Sequence, residues 1–245
     1  TVQWRIDTKA DEALKMPKQK FGIIKECYPH FFHGRDKAGN LVYYECPGGL
    51  NTSRLKGIID KDIFVNHIQY LQEFIWTTLQ PSQDDRITAV IDLGGVGTGL
   101  LMNSQIVGIL KACVVMTGAH YPERSYKIVV LNVPNWFGTL FAIVKPLLND
   151  VQKAKINIFK EAQVAAGLRK IIDEDQIPTV YGGTDTDPIG QSPPEKQFHE
   201  HTMKVLQEAG ESLFTDDLMV DSAGVPYTTE SYTYKPQIRL EKKKR

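Results

Sequence analysis

The chain has 245 residues, with 29 Lys+Arg against 29 Asp+Glu, 42% hydrophobic residues and 24% charged ones, the make-up of an ordinary globular protein. A core of this size needs neither disulfides nor a structural metal, and the balanced charge argues against a nucleic-acid binder or a strongly basic membrane-surface protein. The balance is uneven: residues 1–183 carry 21 basic and 18 acidic groups, residues 184–238 carry 3 and 10, and residues 239–245 carry 5 and 1.

Trp4 to Lys20 is charged and helix-compatible, broken at Pro17. Asp36-Lys37-Ala38-Gly39-Asn40 is a tight-turn signal, and Leu41 to Glu45 after it reads as a hairpin-edge strand ended by Pro47-Gly48-Gly49. From Asp60 the positions Ile63, Phe64, His67, Ile68, Leu71, Phe74, Ile75 and Leu79 keep the spacing of an apolar helix face, a helix of about five turns stopped by Pro81. Arg86 to Leu93 is a near-continuous apolar run, expected of a strand buried on both faces, and Gly94 to Gly99 is a loop. Asn103 suits the N-cap of a helix through Ala119. Lys127 to Asn132 and Ile156 to Phe159 are further strands. Between them Trp136 to Leu148 is a helix with almost no polar face, which Pro146 should kink or end. A helix from about Glu161 to Ile172, a last short strand at Ile177 to Tyr181 and a helix over Glu195 to Ala209 complete the pattern. Strands alternating with helices predict an α/β fold with at least three parallel strands, its domain boundary near Gly183.

Most familiar chemistry fails its tests. Cys27, Cys46 and Cys113 are too few and too scattered for a disulfide framework or a zinc site, and they fit a reducing compartment, the cytosol. The longest apolar stretches fall far short of the ~20 residues that span a bilayer. A start at Thr1, without Met or a signal-peptide core, suggests a portion of a longer chain. The glycines of Gly94 to Gly99 lack the nucleotide-binding spacing, since Leu100 stands where a glycine is needed. His30/His33 and His199/His201 read as surface residues rather than metal ligands, and Cys113 as a core residue. With no catalytic constellation visible, the expectation is a protein that is not an enzyme and has no cofactor.

The apolar helix at Trp136 to Leu148 stands out, because a helix greasy on all sides must be covered by protein or by a ligand. Its surroundings resemble a known family. Tyr121-Pro122-Glu123-Arg124, Tyr126-Lys127, Asn132-x-Pro134, Lys145-Pro146-Leu147-Leu148 and Lys155-Ile156 together resemble the signature of the CRAL-TRIO lipid-transfer domain. Asp36-Lys37-x-Gly39, Asp92-Leu93-x-Gly95 and Ile177-Pro178-x-x-Tyr181-Gly182-Gly183 match in order, so that the resemblance covers about residues 21–183.

The resemblance implies an α/β lipid-binding fold: a mostly parallel sheet as floor, helical walls, an apolar gate helix and an N-terminal helical bundle largely missing. Residues 1–20 would be the end of that N-terminal region, 21–183 the lipid-binding domain, and 184–245 a C-terminal extension. Thr184-x-Thr186-Asp187-Pro188 there resembles a linker towards a GOLD-type domain. Trp136, Phe137, Leu140, Phe141, Val144 and Leu148 would line the pocket and gate. Glu123 and Lys155 would hold a lipid headgroup, with Gln152 and Lys153 beside them; the fungal members carry threonine at the position of Gln152. Ile87 and Ala89 replace small hydroxyl residues, which disfavours a choline headgroup. The implied ligand is a phospholipid, phosphatidylinositol favoured, exchanged by a cytoplasmic protein that touches membranes transiently. The extension would offer a protein-partner surface, and its basic end at Lys242 to Arg245 a contact for anionic lipid. A scaffold subunit that keeps this fold without exchanging lipid is the rival reading.

Overall fold

The computed structural model describes residues 1–18, 20–52 and 60–210. Five strands form one sheet in the order β1 (His30–Arg35), β2 (Leu41–Glu45), β3 (Ile87–Asp92), β4 (Ser125–Leu131) and β5 (Ile156–Phe159). β1 is antiparallel to β2, and every other neighbouring pair is parallel. Parallel neighbours need long crossovers, and helices supply them. In chain order the helices are α1 (Val2–Asp7), α2 (Phe21–Cys27), α3 (Lys61–Phe74), α4 (Gly99–Met102), α5 (Ser104–His120), α6 (Phe137–Val144), α7 (Asp150–Ala154), α8 (Val164–Leu168) and α9 (Pro193–Glu208). No helix among the described residues is long and apolar enough to cross a membrane.

Several elements match the pattern closely. β5 spans the predicted residues, and the side chain of Asn103 caps α5 by accepting the Ile106 N–H. Pro146 has the expected effect: α6 stops at Val144 and one 3₁₀ turn follows at Lys145–Leu147.

Others differ. β2 is not an edge, because it pairs with β1 on one side and β3 on the other. The turn before β2 is tied down by Asp36, which accepts the Ala38 and Asn40 N–H groups and the Thr88 hydroxyl at 2.6 Å. The helix after Asp60 is regular only to Phe74; the Thr77 hydroxyl donates to the Glu73 carbonyl, and the Gln80 N–H closes a wider turn onto the Ile75 carbonyl. Ile177 to Tyr181 is no strand: Pro178 has no N–H to give a ladder, and only a bridge to Asp185 and a 3₁₀ turn form. The predicted helix to Ile172 opens as a 3₁₀ turn, and its α-helical part ends at Leu168.

The two faces of the sheet are covered unequally. On one face Val42, Tyr44, Val90, Val129 and Leu131 pack against α8 and the segment carrying Ile171, Ile177, Tyr181 and Ile189. On the other, Phe32, Leu41, Tyr43 and Ile87 pack against Phe21, α3 and α9. Over β3, β4 and β5 that second face is not filled. The strand expected to be buried on both sides is therefore buried on one, with Ala89 and Ile91 only partly covered on the other.

Part of the chain beyond Gly183 shares this core. Phe198 and Leu206 of α9 are fully buried, and the buried Glu195 carboxylate meets the buried Lys25 ammonium at 2.5 Å. Glu195 also accepts the Phe32 N–H at 3.0 Å, and His199 approaches it at 3.1 Å. His30, His33 and His199, read as surface residues, are all buried; His30 and His199 sit in a polar layer between β1 and α9, where His30 also meets His67 at 3.0 Å, whereas His33 lies on the other face of β1 and pairs with Asp185 at 2.9 Å. His201, half-covered, faces the Leu14 carbonyl. The predicted basic end at Lys242 to Arg245 lies outside the described residues.

This layer makes stability depend on acid. Burial pushes the His30 and His67 imidazoles well below their ordinary range and lowers His199 as well. Such groups take up protons on unfolding, so their stabilisation is present above about pH 6.5 and is lost as pH falls below it. Glu45, raised by burial, works in the opposite sense. A net uptake of about one to three protons is expected, or roughly 1.4–4 kcal/mol lost per pH unit. Urea unfolding at about pH 7.5 and about pH 5.5 measures it, and equal stability at both would contradict it.

Candidate functional site

The uncovered half of the sheet is the floor of a cavity of about 630 Å³, within the range of small-molecule sites. Ala89, Ile91, Ile128, Val130 and Ile156 form the floor. Parallel register sets these side chains abreast, Ala89 beside Ile128 and Ile91 beside Val130, with Ile128 beside Ile156 on the next strand. α5 is one wall, with Ile106, Ile109, Leu110, Cys113 and Val114. α6 and the turn after it are another, with Phe137, Leu140, Phe141, Val144 and Leu148. Of the residues of α6 only Leu140 is buried, as expected of an apolar helix over an unfilled space. Trp136 packs in the apolar cluster with Leu93 and Val96 and is not among the lining residues.

A second space of about 150 Å³, much more polar, adjoins the first. Glu45, Gln72, Ala89, Thr117, Ser125 and Gln152 line both, so an apolar body and a polar niche meet along these residues. Glu123, Arg124, Tyr121, Asn149 and Lys155 line the niche, with Ile87 at its side. Of the predicted headgroup residues, the fold brings Glu123, Gln152 and Lys155 together. Lys153 is elsewhere: it lines neither space, and its ammonium pairs with Asp150 along α7 at 3.0 Å.

Each niche residue is held from outside. Glu123 has φ +61°, a left-handed conformation that a residue with a Cβ adopts only where its surroundings impose it. On one side of it the Tyr121 hydroxyl donates to Glu73 at 2.6 Å, and Arg5 grips the same carboxylate with two bonds of 3.0 Å. Trp4 stacks on His120 at 3.9 Å, so the N-terminal segment braces the turn. On the other side Arg124 lies over the Trp76 ring at 4.6 Å and donates to the Ser82 carbonyl. Lys155 donates to the Ser125 carbonyl at 2.6 Å, and among the described residues no ion pair joins it to Glu123. Gln152 belongs to the capping box of α7, its Oε1 accepting the Asn149 N–H.

Several polar residues of the site were not anticipated. Glu45 accepts the Tyr28 hydroxyl at 2.9 Å, and both line the apolar body. Burial raises the Glu45 carboxyl and favours its protonated form. Cys113, expected in the core, lines the cavity; burial pushes its thiol up to about 12, which leaves it protonated and a poor nucleophile at neutral pH. Glu45 was detectable in principle, since it alternates with Leu41 and Tyr43 on one face of β2.

A family model described as CRAL/TRIO domain matches residues 25–183. A CRAL-TRIO domain-containing protein of Saccharomyces cerevisiae is 28% identical over 200 residues, covering 75% of this chain and 63% of that protein. A phosphatidylinositol/phosphatidylcholine transfer protein of Arabidopsis thaliana, SFH12, is 26% identical over 195 residues, or 76% of this chain and 35% of that one. The chain thus spans less than two thirds of the length of either relative. The crystal structure of Sfh5 superposes with a TM-score of 0.58 at 21% identity, covering 84% of this chain and 71% of that one, a likeness of fold.

Proposed function

The chain belongs to the CRAL/TRIO domain family, and on that premise we propose that it sequesters a phospholipid, phosphatidylinositol by preference, and exchanges it with membranes. The observation that carries the reading is the adjacency of an apolar cavity to a polar niche lined by both Glu123 and Lys155. Acyl chains gain roughly 0.8 kcal/mol per CH₂ by leaving water for such a cavity, so the complex is stable in water. Moving chains from bilayer to cavity exchanges one apolar medium for another, and no covalent step is required. The ammonium of Lys155 would meet the lipid phosphate, and Glu123 would accept from inositol hydroxyls. Ala89 offers no hydrogen bond to a choline headgroup. α6 would be the gate, apolar on the side that meets lipid when closed and on the side that meets membrane when open. Such a protein would work in the cytosol and visit membranes transiently. An open cavity, rather than one collapsed onto its side chains, favours this reading over a scaffold that has lost lipid exchange.

Glu123→Ala and Lys155→Ala are expected to slow transfer of phosphatidylinositol between vesicles by about tenfold to a hundredfold, the worth of one charge-assisted hydrogen bond. Thermal unfolding should change little, because neither side chain is buried in the core. Unchanged transfer in both variants would overturn the headgroup assignment.

A further inference from the structure

We propose that the neck between the apolar body and the niche recognises the ester linkages of a diacyl lipid, with the amide N–H groups of Gln72 and Gln152 donating to the ester carbonyls. The inference rests on the reading that a lipid occupies the cavity. Both glutamines line both spaces. Gln72 is only 9% exposed, and its Oε1 already accepts the Trp76 indole N–H at 2.8 Å. The Oε1 of Gln152 accepts the Asn149 N–H at 3.0 Å. An N–H donor can only meet an amide oxygen, so these bonds fix the orientation of both amides, and the NH₂ group of each is left to donate to a ligand.

The other polar groups of the neck have partners within the protein. The Ser125 carbonyl accepts from Lys155, and the Thr117 hydroxyl donates back to the Cys113 carbonyl at 2.8 Å. Glu45 is engaged by the Tyr28 and Tyr43 hydroxyls, and burial raises its carboxyl. The two amide NH₂ groups therefore suit a ligand atom that accepts. In a diacyl phospholipid the ester carbonyls lie between the chains and the phosphate, just as the neck lies between the apolar body and the niche. A dialkyl ether lipid has the same chains, phosphate and headgroup without the carbonyls. It would leave the donors unmet where little water can reach them, which lowers binding by on the order of tenfold or more.

The test compares uptake from vesicles of diacyl and dialkyl ether forms of phosphatidylinositol and of phosphatidylcholine, matched in chain length. The protein should prefer the diacyl form by about tenfold or more. Gln152→Glu keeps an acceptor for Asn149 while removing the donor, and it should bring the ratio close to one without changing thermal stability; Gln72→Glu should act in the same direction. Equal uptake of ester and ether forms by the unaltered protein would overturn this inference alone and would leave phosphate oxygens as the partners of the neck. A preference that survives in both variants would overturn the assignment to the two glutamines. Uptake of none of the four lipids would overturn the lipid reading and this inference with it.

Discussion

Replacing Lys25 with Met should destabilise the protein by about 3–5 kcal/mol, the cost of removing one partner from a buried ion pair. Lys25 and Glu195 have no exposed side-chain surface, and they meet at 2.5 Å. Each is expensive to bury alone. Lys25 also donates to the His30 carbonyl, and Glu195 accepts the Phe32 N–H, so the pair ties α2 and α9 to β1. Losing the ammonium leaves a carboxylate among Phe21, Phe198 and neutral imidazoles, where few donors remain for it. Against a typical total of about 5–15 kcal/mol, such a loss is large. Adding Glu195→Gln to the same chain removes the stranded charge and should recover part of it. Urea unfolding of the two variants measures both effects. A loss below about 1 kcal/mol for Lys25→Met would show that the pair does not hold α9 to the sheet.

The largest functional effect is expected from Ala89→Trp. Ala89 stands on β3 in the middle of the floor and lines both the apolar body and the niche. An indole there would project into empty volume rather than into packed side chains, so the usual penalty for overfilling a core should be small. Lipid uptake should fall by at least about a hundredfold, because the side chain takes the space of several methylenes at roughly 0.8 kcal/mol each. Thermal unfolding of the lipid-free protein should be unchanged or slightly raised. Val90 is the matching control: it faces the filled side of the same strand, where Val90→Trp should destabilise the fold. Normal lipid uptake by Ala89→Trp would mean that the ligand does not lie over β3.

What the sequence made legible was local. Asn103 caps α5 through a bond to a residue three positions on, and Pro146 ends α6 through its own ring; neither depends on distant partners. The parallel strands were legible because Val, Ile and Leu runs mark them wherever they pair. The place of β2 was not, because its second partner, β3, lies beyond α3 in the chain. The same limit hid the polar layer. His30, Lys25, Glu195 and His199 look like surface residues until α9 folds back over β1, and only then do their charges and rings meet.

The site divides in the same way. Glu123 and Lys155 were identified through short motifs, Gln152 through its position in the family resemblance, and all three fall around one niche, whereas Lys153, two residues from Lys155, turns outward to Asp150. Helical rotation separates near neighbours in a way that motif reading does not see. Glu45 and Gln72 had no motif. They matter because β2 and α3 bring them to the neck, and Gln72 matters further because Trp76, one turn along, fixes its amide. The cavity itself had no sequence signature: Ala89 and Ile91 read like any core strand, and only the unfilled side of the sheet distinguishes them.

The central claim is that this cavity carries a phospholipid. Native mass spectrometry of the purified protein, followed by organic extraction and identification of what is released, tests it most directly. One phospholipid per chain, enriched in phosphatidylinositol and lost in Ala89→Trp, is the predicted result. A chain of bare mass that gains no lipid on incubation with phosphatidylinositol vesicles would contradict it.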